Sequence, residues 1–105
     1  MPSEYCHPLT EGEISNEKYS EWSLLSVTIH GSTMERIKLS KRLMCATKHL
    51  PMRLRIHYEN DMEKSIEAGV SKDPTLTLNE KIFLEGLVQA EEITERFEEY
   101  LKTLS

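Results

Sequence analysis

The stretch Val70-Ser71-Lys72-Asp73-Pro74-Thr75-Leu76-Thr77-Leu78-Asn79-Glu80-Lys81-Ile82-Phe83-Leu84-Glu85-Gly86 decides the fold, because it reads as a proline-led β-hairpin that closes a small sheet. Proline has no N–H and a fixed φ, so Pro74 opens a strand rather than sitting inside one. Leu76 and Leu78 alternate before Asn79-Glu80, and Ile82 and Leu84 alternate after it. This predicts two antiparallel strands that send these four side chains inward, joined by a two-residue turn.

Upstream of the hairpin, Asn60 or Asp61 is positioned to cap a short helix over Met62–Ala68, and Gly69 supplies a left-handed C-cap. Met52-Arg53-Leu54-Arg55-Ile56-His57-Tyr58 alternates throughout. It predicts a strand with Met52, Leu54, Ile56 and Tyr58 facing in and Arg53, Arg55 and His57 on a solvated face or a charged edge. Pro51 marks the end of a helix whose apolar stripe is Leu39, Leu43, Ala46 and Leu50. Ser32 followed by Glu35 has capping-box spacing at the start of that helix, with Thr33 as a competing cap. Before it, Leu25, Val27 and Ile29 alternate to Gly31, which predicts the first strand. Beyond the hairpin, Ile93, Phe97, Tyr100, Leu101 and Leu104 predict a final amphipathic helix from about Ala90.

The expected class is therefore α/β, in the order β-α-β-α-β-β-α. A helical connection between the first two strands favours a parallel pair, and the tight turn between the last two requires an antiparallel one, so the sheet should be mixed. Residues 1–21 are rich in Glu, Ser, Pro and Asn without a sustained period, and read as a polar, partly disordered N-terminal extension to a domain at 22–105. With 105 residues, 38% hydrophobic and 30% charged, the composition is that of one soluble domain. The N-terminus has no basic and apolar leader pattern and no run approaches a membrane span, so a cytoplasmic location is expected.

The element order, the phrase Gly69-Val70-x-x-x-Pro74-Thr75-Leu76 and the closing Glu85-Gly86 before the last helix together resemble the minimal thioredoxin/glutaredoxin-like redox-disulfide proteins, over about residues 24–104. The resemblance implies a thioredoxin-like fold with Pro74 as the cis-proline beside the active site. It places the family's Cys-x-x-Cys pair at Thr33 and Arg36, and no residue from Ser32 to Ile37 is a cysteine. The function implied is that of a redox-degenerate thioredoxin-like domain that binds a protein partner or small ligand and leans away from enzymatic activity. The alternative is a thiol-disulfide oxidoreductase that uses a displaced cysteine, Cys6 or Cys45.

The candidate ligand-binding residues are Ser32, Thr33, Arg36, Asp73 and Pro74. A helix N-terminus with Arg36 nearby suits an anion such as a phosphate, a carboxylate or a glutathione-like ligand, although Asp73 would repel one, and Ser32 and Thr33 equally serve as plain caps. Cys45 reads as a packed structural residue and Cys6, beside His7, as an exposed one. Their spacing matches no redox or zinc motif, so both are expected reduced. His30 could end the first strand near the pocket, where such a residue is ordinarily solvated. No metal, cofactor or catalytic-triad pattern is present in the sequence, so none is expected.

Charge is segregated along the chain, whose formal net charge is −5. Arg36 to His57 carries seven basic residues and no acidic one, whereas the last helix holds Glu91, Glu92, Glu95, Glu98 and Glu99. The candidate basic surface is Lys38, Lys41, Arg42, Arg53 and Arg55. It would steer an acidic partner or support a homodimer through a basic edge strand, or act only as a solubility device. Nucleic acid is an unfavoured partner, because the basic stretch lacks interleaved aromatics.

Overall fold

The computed structural model describes residues 7–104. Seven elements follow one another: β1 (Ser23–His30), α1 (Thr33–Thr47), β2 (Met52–Glu59), α2 (Met62–Glu67), β3 (Thr75–Leu78), β4 (Lys81–Glu85) and α3 (Ala90–Thr103). The strands form one mixed sheet in the spatial order β2-β1-β3-β4. β1 pairs in parallel with β2 and antiparallel with β3, and β3 pairs antiparallel with β4. The protein is thus α/β, with a four-stranded mixed sheet and three helices.

β1 lies inside the sheet, so Val27 and Ile29 are fully buried, and they meet Leu39 and Leu43 of α1 and Ile93 and Phe97 of α3 in a single core. β2 adds Met52, Leu54 and Ile56, the alternation its sequence predicts. The turn at Asn79-Glu80 has positive φ at both residues, 53° and 70°, as a two-residue hairpin of the primed type requires. No described helix is long and apolar enough to cross a membrane.

The hairpin departs from strict alternation. The pairing slips between Leu76, opposite Leu84, and Thr77, opposite Ile82, which leaves Phe83 as an extra residue. A one-residue slip turns every side chain on one side of it to the opposite face. Leu84 is therefore buried while Ile82, expected inside, is 41% exposed. Phe83 packs instead against Phe97, at 4.8 Å between ring centroids, and edge-on against Tyr100.

The N-terminal segment also differs from expectation. Among its described residues it is ordered along the outer edge of β2 rather than loose. Gly12 N–H donates to the Ile56 carbonyl at 2.7 Å, Ser15 N–H to the Leu54 carbonyl at 2.8 Å, and Ile14 bridges Arg55 antiparallel. The Ser15 hydroxyl accepts from Leu54 N–H at 3.0 Å. Leu9 then crosses α1, where its N–H donates to Ser40 Oγ at 3.1 Å and its side chain joins the core. The Tyr58 hydroxyl donates to the Leu9 carbonyl and lies 2.8 Å from Ser40 Oγ, and burial raises its pKa. Backbone pairing of an unpaired strand edge needs no apolar periodicity, so composition alone underestimates this order. Residues 1–6, including Cys6, lie outside the described residues.

Leu9→Ala should cost about 2–5 kcal/mol, the usual range for removing a buried leucine, measured by urea denaturation. A loss under about 0.5 kcal/mol, the scale of an ordinary surface substitution, would mean that the segment does not contribute to the core.

Candidate functional site

α1 begins immediately after β1, and the turn that joins them is shaped by Gly31, at φ +140°. A Cβ there would stand 3.2 Å from Pro74 Cα and would run into the Asp73 carboxylate. Only a residue without a side chain lets the two loops approach this closely. The Asp73–Pro74 peptide bond is cis, and the Pro74 ring is buried. Asp73 Oδ1 accepts the Ser32 N–H at 3.0 Å. The amide that a bound anion would take at the helix start is therefore donated to the protein's own carboxylate.

The capping-box expectation is corrected by the same contact. Ser32 is the N-cap, but its side chain makes no capping bond, and Glu35 pairs forward with Lys38 at 3.3 Å. The α2 cap is Asp61, whose carboxylate accepts the Glu63 N–H at 2.9 Å.

Four of the five candidate ligand-binding residues divide between two grooves, and the fifth, Pro74, is buried and lines neither. Ser32 and Asp73 face a groove of about 430 Å³, shared with Met62, Ser65, Ile66 and Val70. Thr33 and Arg36 face a second groove of about 360 Å³, closed by Pro8, Leu9, Glu11 and Tyr58 of the docked N-terminal segment and β2. Arg36 Nη2 donates to Thr33 Oγ1 at 3.2 Å, and its guanidinium carbon lies 5.7 Å from the Tyr58 ring centroid. Its Nε is buried and makes no hydrogen bond. Glu11 stands across this groove and accepts from Tyr58 N–H at 2.8 Å, the main reason its pKa is lowered. His57 Nδ1 is 2.7 Å from the same carboxylate and holds it down further.

The basic surface is smaller than the sequence suggests. Arg42 Nη1 donates to the Leu87 and Val88 carbonyls at 3.0 and 2.9 Å, and Arg53 Nε donates to the Trp22 carbonyl at 3.0 Å. These two arginines close loops and are partly buried, whereas Lys38, Lys41 and Arg55 remain exposed. The β2 edge proposed for dimer contact already carries the N-terminal segment.

Two residues depart further from their sequence readings. Cys45, expected to be a reduced thiol, is disulfide-bonded. The N-terminal segment returns over α1 at Ser40, a fold-back that the linear spacing of cysteines does not register. His30, expected to be solvated, is 5% exposed. Its Nδ1 is 2.8 Å from Ser65 Oγ, and its Nε2 is 3.5 Å from Thr77 Oγ1. Ser65 is 35 positions away with no motif linking it to His30, so only the chain fold joins them. Among the described residues, no group of three or more His, Cys, Asp or Glu is placed to hold a metal ion.

The described residues define a small α/β domain with two grooves on either side of the β1–α1 turn. No family model, curated protein or solved structure matches the chain.

Burial pushes the His30 pKa below its ordinary 6.5, while the Glu59 carboxylate pulls it upward. Between the lowered native value and 6.5 the unfolded chain binds the proton more readily than the native state, so stability falls as pH drops through this window. The lowered Glu11 carboxyl adds a further loss only below its ordinary 4.5. Urea midpoints should decrease from about pH 7 to about pH 5.5, and His30→Gln should flatten that slope. Gly31→Ala should cost at least about 1–3 kcal/mol through backbone strain and the clash with Asp73; unchanged stability would show that the two loops separate easily.

Proposed function

We propose that this chain is a redox-degenerate thioredoxin-like domain that works as a binding module for a protein partner. The thioredoxin-like assignment rests on the resemblance in element order and on the proline-led hairpin. The observation that carries the binding reading is the apposition of the β1–α1 turn and the Asp73–Pro74 loop across Gly31. This apposition forms one wall of the groove at Ser32 and Asp73, and the docked N-terminal segment forms the second groove, at Thr33 and Arg36. Thr33 and Arg36 occupy the positions where the resemblance places a cysteine pair, so the surface retains a place to dock a segment without the thiols to exchange with it.

Large apolar side chains exposed around the turn support a protein partner over a small anion. Met34 is 65% and Met62 75% exposed, and methionine surfaces adapt readily to varied apolar side chains. The Asp73 carboxylate on the Ser32 amide argues in the same direction, because it competes with any small anion for the helix start. The oxidoreductase alternative has less support. Cys45 lies twelve residues, about three helical turns, beyond Thr33, away from the helix start where the dipole lowers a thiol's pKa.

Dithiothreitol-driven insulin reduction should proceed at the uncatalysed rate, and turnover would replace this reading with the oxidoreductase one. Peptides selected from a random library should shift the NMR amide signals of Ser32 to Arg36 and Asp73 to Thr75. Arg36→Ala and Met34→Asp should each weaken such a peptide by about tenfold, a change of about 1.4 kcal/mol. Selected peptides that perturb only distant residues would sink the proposal.

A further inference from the structure

We propose that Ser65 and His30 form a nucleophile and base pair that hydrolyses short-chain carboxylic esters bound in the groove between α2 and the Asp73–Pro74 loop. This activity goes beyond the binding role and uses one of the same two grooves. Ser65 lines the groove of about 430 Å³, and its hydroxyl is 2.8 Å from His30 Nδ1, within the reach required of a serine and its base.

The contacts of the ring accommodate the tautomer this chemistry needs. Thr77 Oγ1 lies 3.5 Å from both the Thr28 carbonyl and His30 Nε2. In the tautomer with its proton on Nε2, the ring donates toward Thr77 and Nδ1 turns a lone pair to the Ser65 hydroxyl. Thr77 is a positioning residue in this arrangement: β3 carries it opposite Thr28 of β1, and it fixes the ring from behind. Burial keeps the imidazole neutral near pH 7, and Glu59 favours the cation formed when it accepts a proton.

The groove supplies the remaining requirements. Met62, Ile66 and Val70 offer an apolar wall for a short acyl chain, and Lys72 and Asn60 bring side-chain donors for the carbonyl oxygen. Ser65 Oγ bonds to the acyl carbon while His30 Nδ1 takes the hydroxyl proton, and the ester C–O bond breaks as that proton passes to the departing alcohol. Water then attacks the acyl-serine, gives its proton to His30 and releases the carboxylic acid; the proton returns to Ser65.

A fluorophosphonate reports the first half of this chemistry directly, since attack by Ser65 forms an O–P bond and expels fluoride. Intact-mass and peptide mapping of the full chain should show one phosphonyl group, on Ser65. Ser65→Ala should abolish it and the hydrolysis of p-nitrophenyl butyrate, and His30→Gln should slow labelling about 100-fold. Thr77→Val should slow labelling several-fold while leaving the fold intact.

If His30→Gln does not fold, the pH profile of the wild-type protein decides. Labelling should fall with a midpoint below 6.5, in a setting where Glu59, Lys64, Glu67 and Glu80 are the charged groups around the ring. The proposal is overturned by absence of an adduct on Ser65, by an adduct elsewhere only, or by labelling at Ser65 that ignores both His30→Gln and pH.

Discussion

Strand β1 is the constraint on which the rest of the structure depends. It pairs along its whole length with β2 and through Val27–His30 with β3, and these two pairings have opposite sense. The parallel partner requires a helical crossover, which places α1 over the sheet; the antiparallel partner brings the Asp73–Pro74 loop to the β1–α1 turn. Because Val27 and Ile29 face the core, Thr28 and His30 must face the other side of the sheet. One alternation thus positions the core on one side and the histidine network on the other.

The two grooves have different electrostatic characters for the same reason. On one side, Asp73 satisfies the start of α1, and the groove sets Glu59, Lys72 and Asp73 beside the apolar side chains of Met62, Ile66 and Val70, with Ser65 at its wall. On the other, the docked N-terminal segment brings Glu11 opposite Arg36, next to the Tyr58 ring. A candidate site that is continuous in sequence, from Ser32 to Arg36, is therefore divided in space. Ser32 is the N-cap, with extended backbone at φ −70° and ψ 158°, whereas Thr33 and Arg36 share one face of α1 at i, i+3 spacing.

Much of the fold was legible because the main elements carry their own periods and stops. Pro51, Gly69, Pro74 and Asn79-Glu80 mark boundaries through backbone restrictions that act locally, and the stripes of α1, β2 and α3 need no tertiary partner to be recognised. The N-terminal segment was not legible, since edge pairing uses peptide groups that every residue has. The basic cluster was misjudged in part because charge counts do not reveal that Arg42 and Arg53 end on backbone carbonyls.

The sequence by itself determined the element order, the mixed sheet, most of the core and the lack of cysteine between Ser32 and Ile37. Tertiary structure alone decided the slip that exposes Ile82, the capture of the Ser32 amide by Asp73, the docking of Leu9 and the meeting of His30 with Ser65. Each of these joins groups distant in the chain or depends on a register set by a neighbouring strand. Local propensity and periodicity act over a few residues, whereas such contacts are fixed only when the packed sheet brings the segments together.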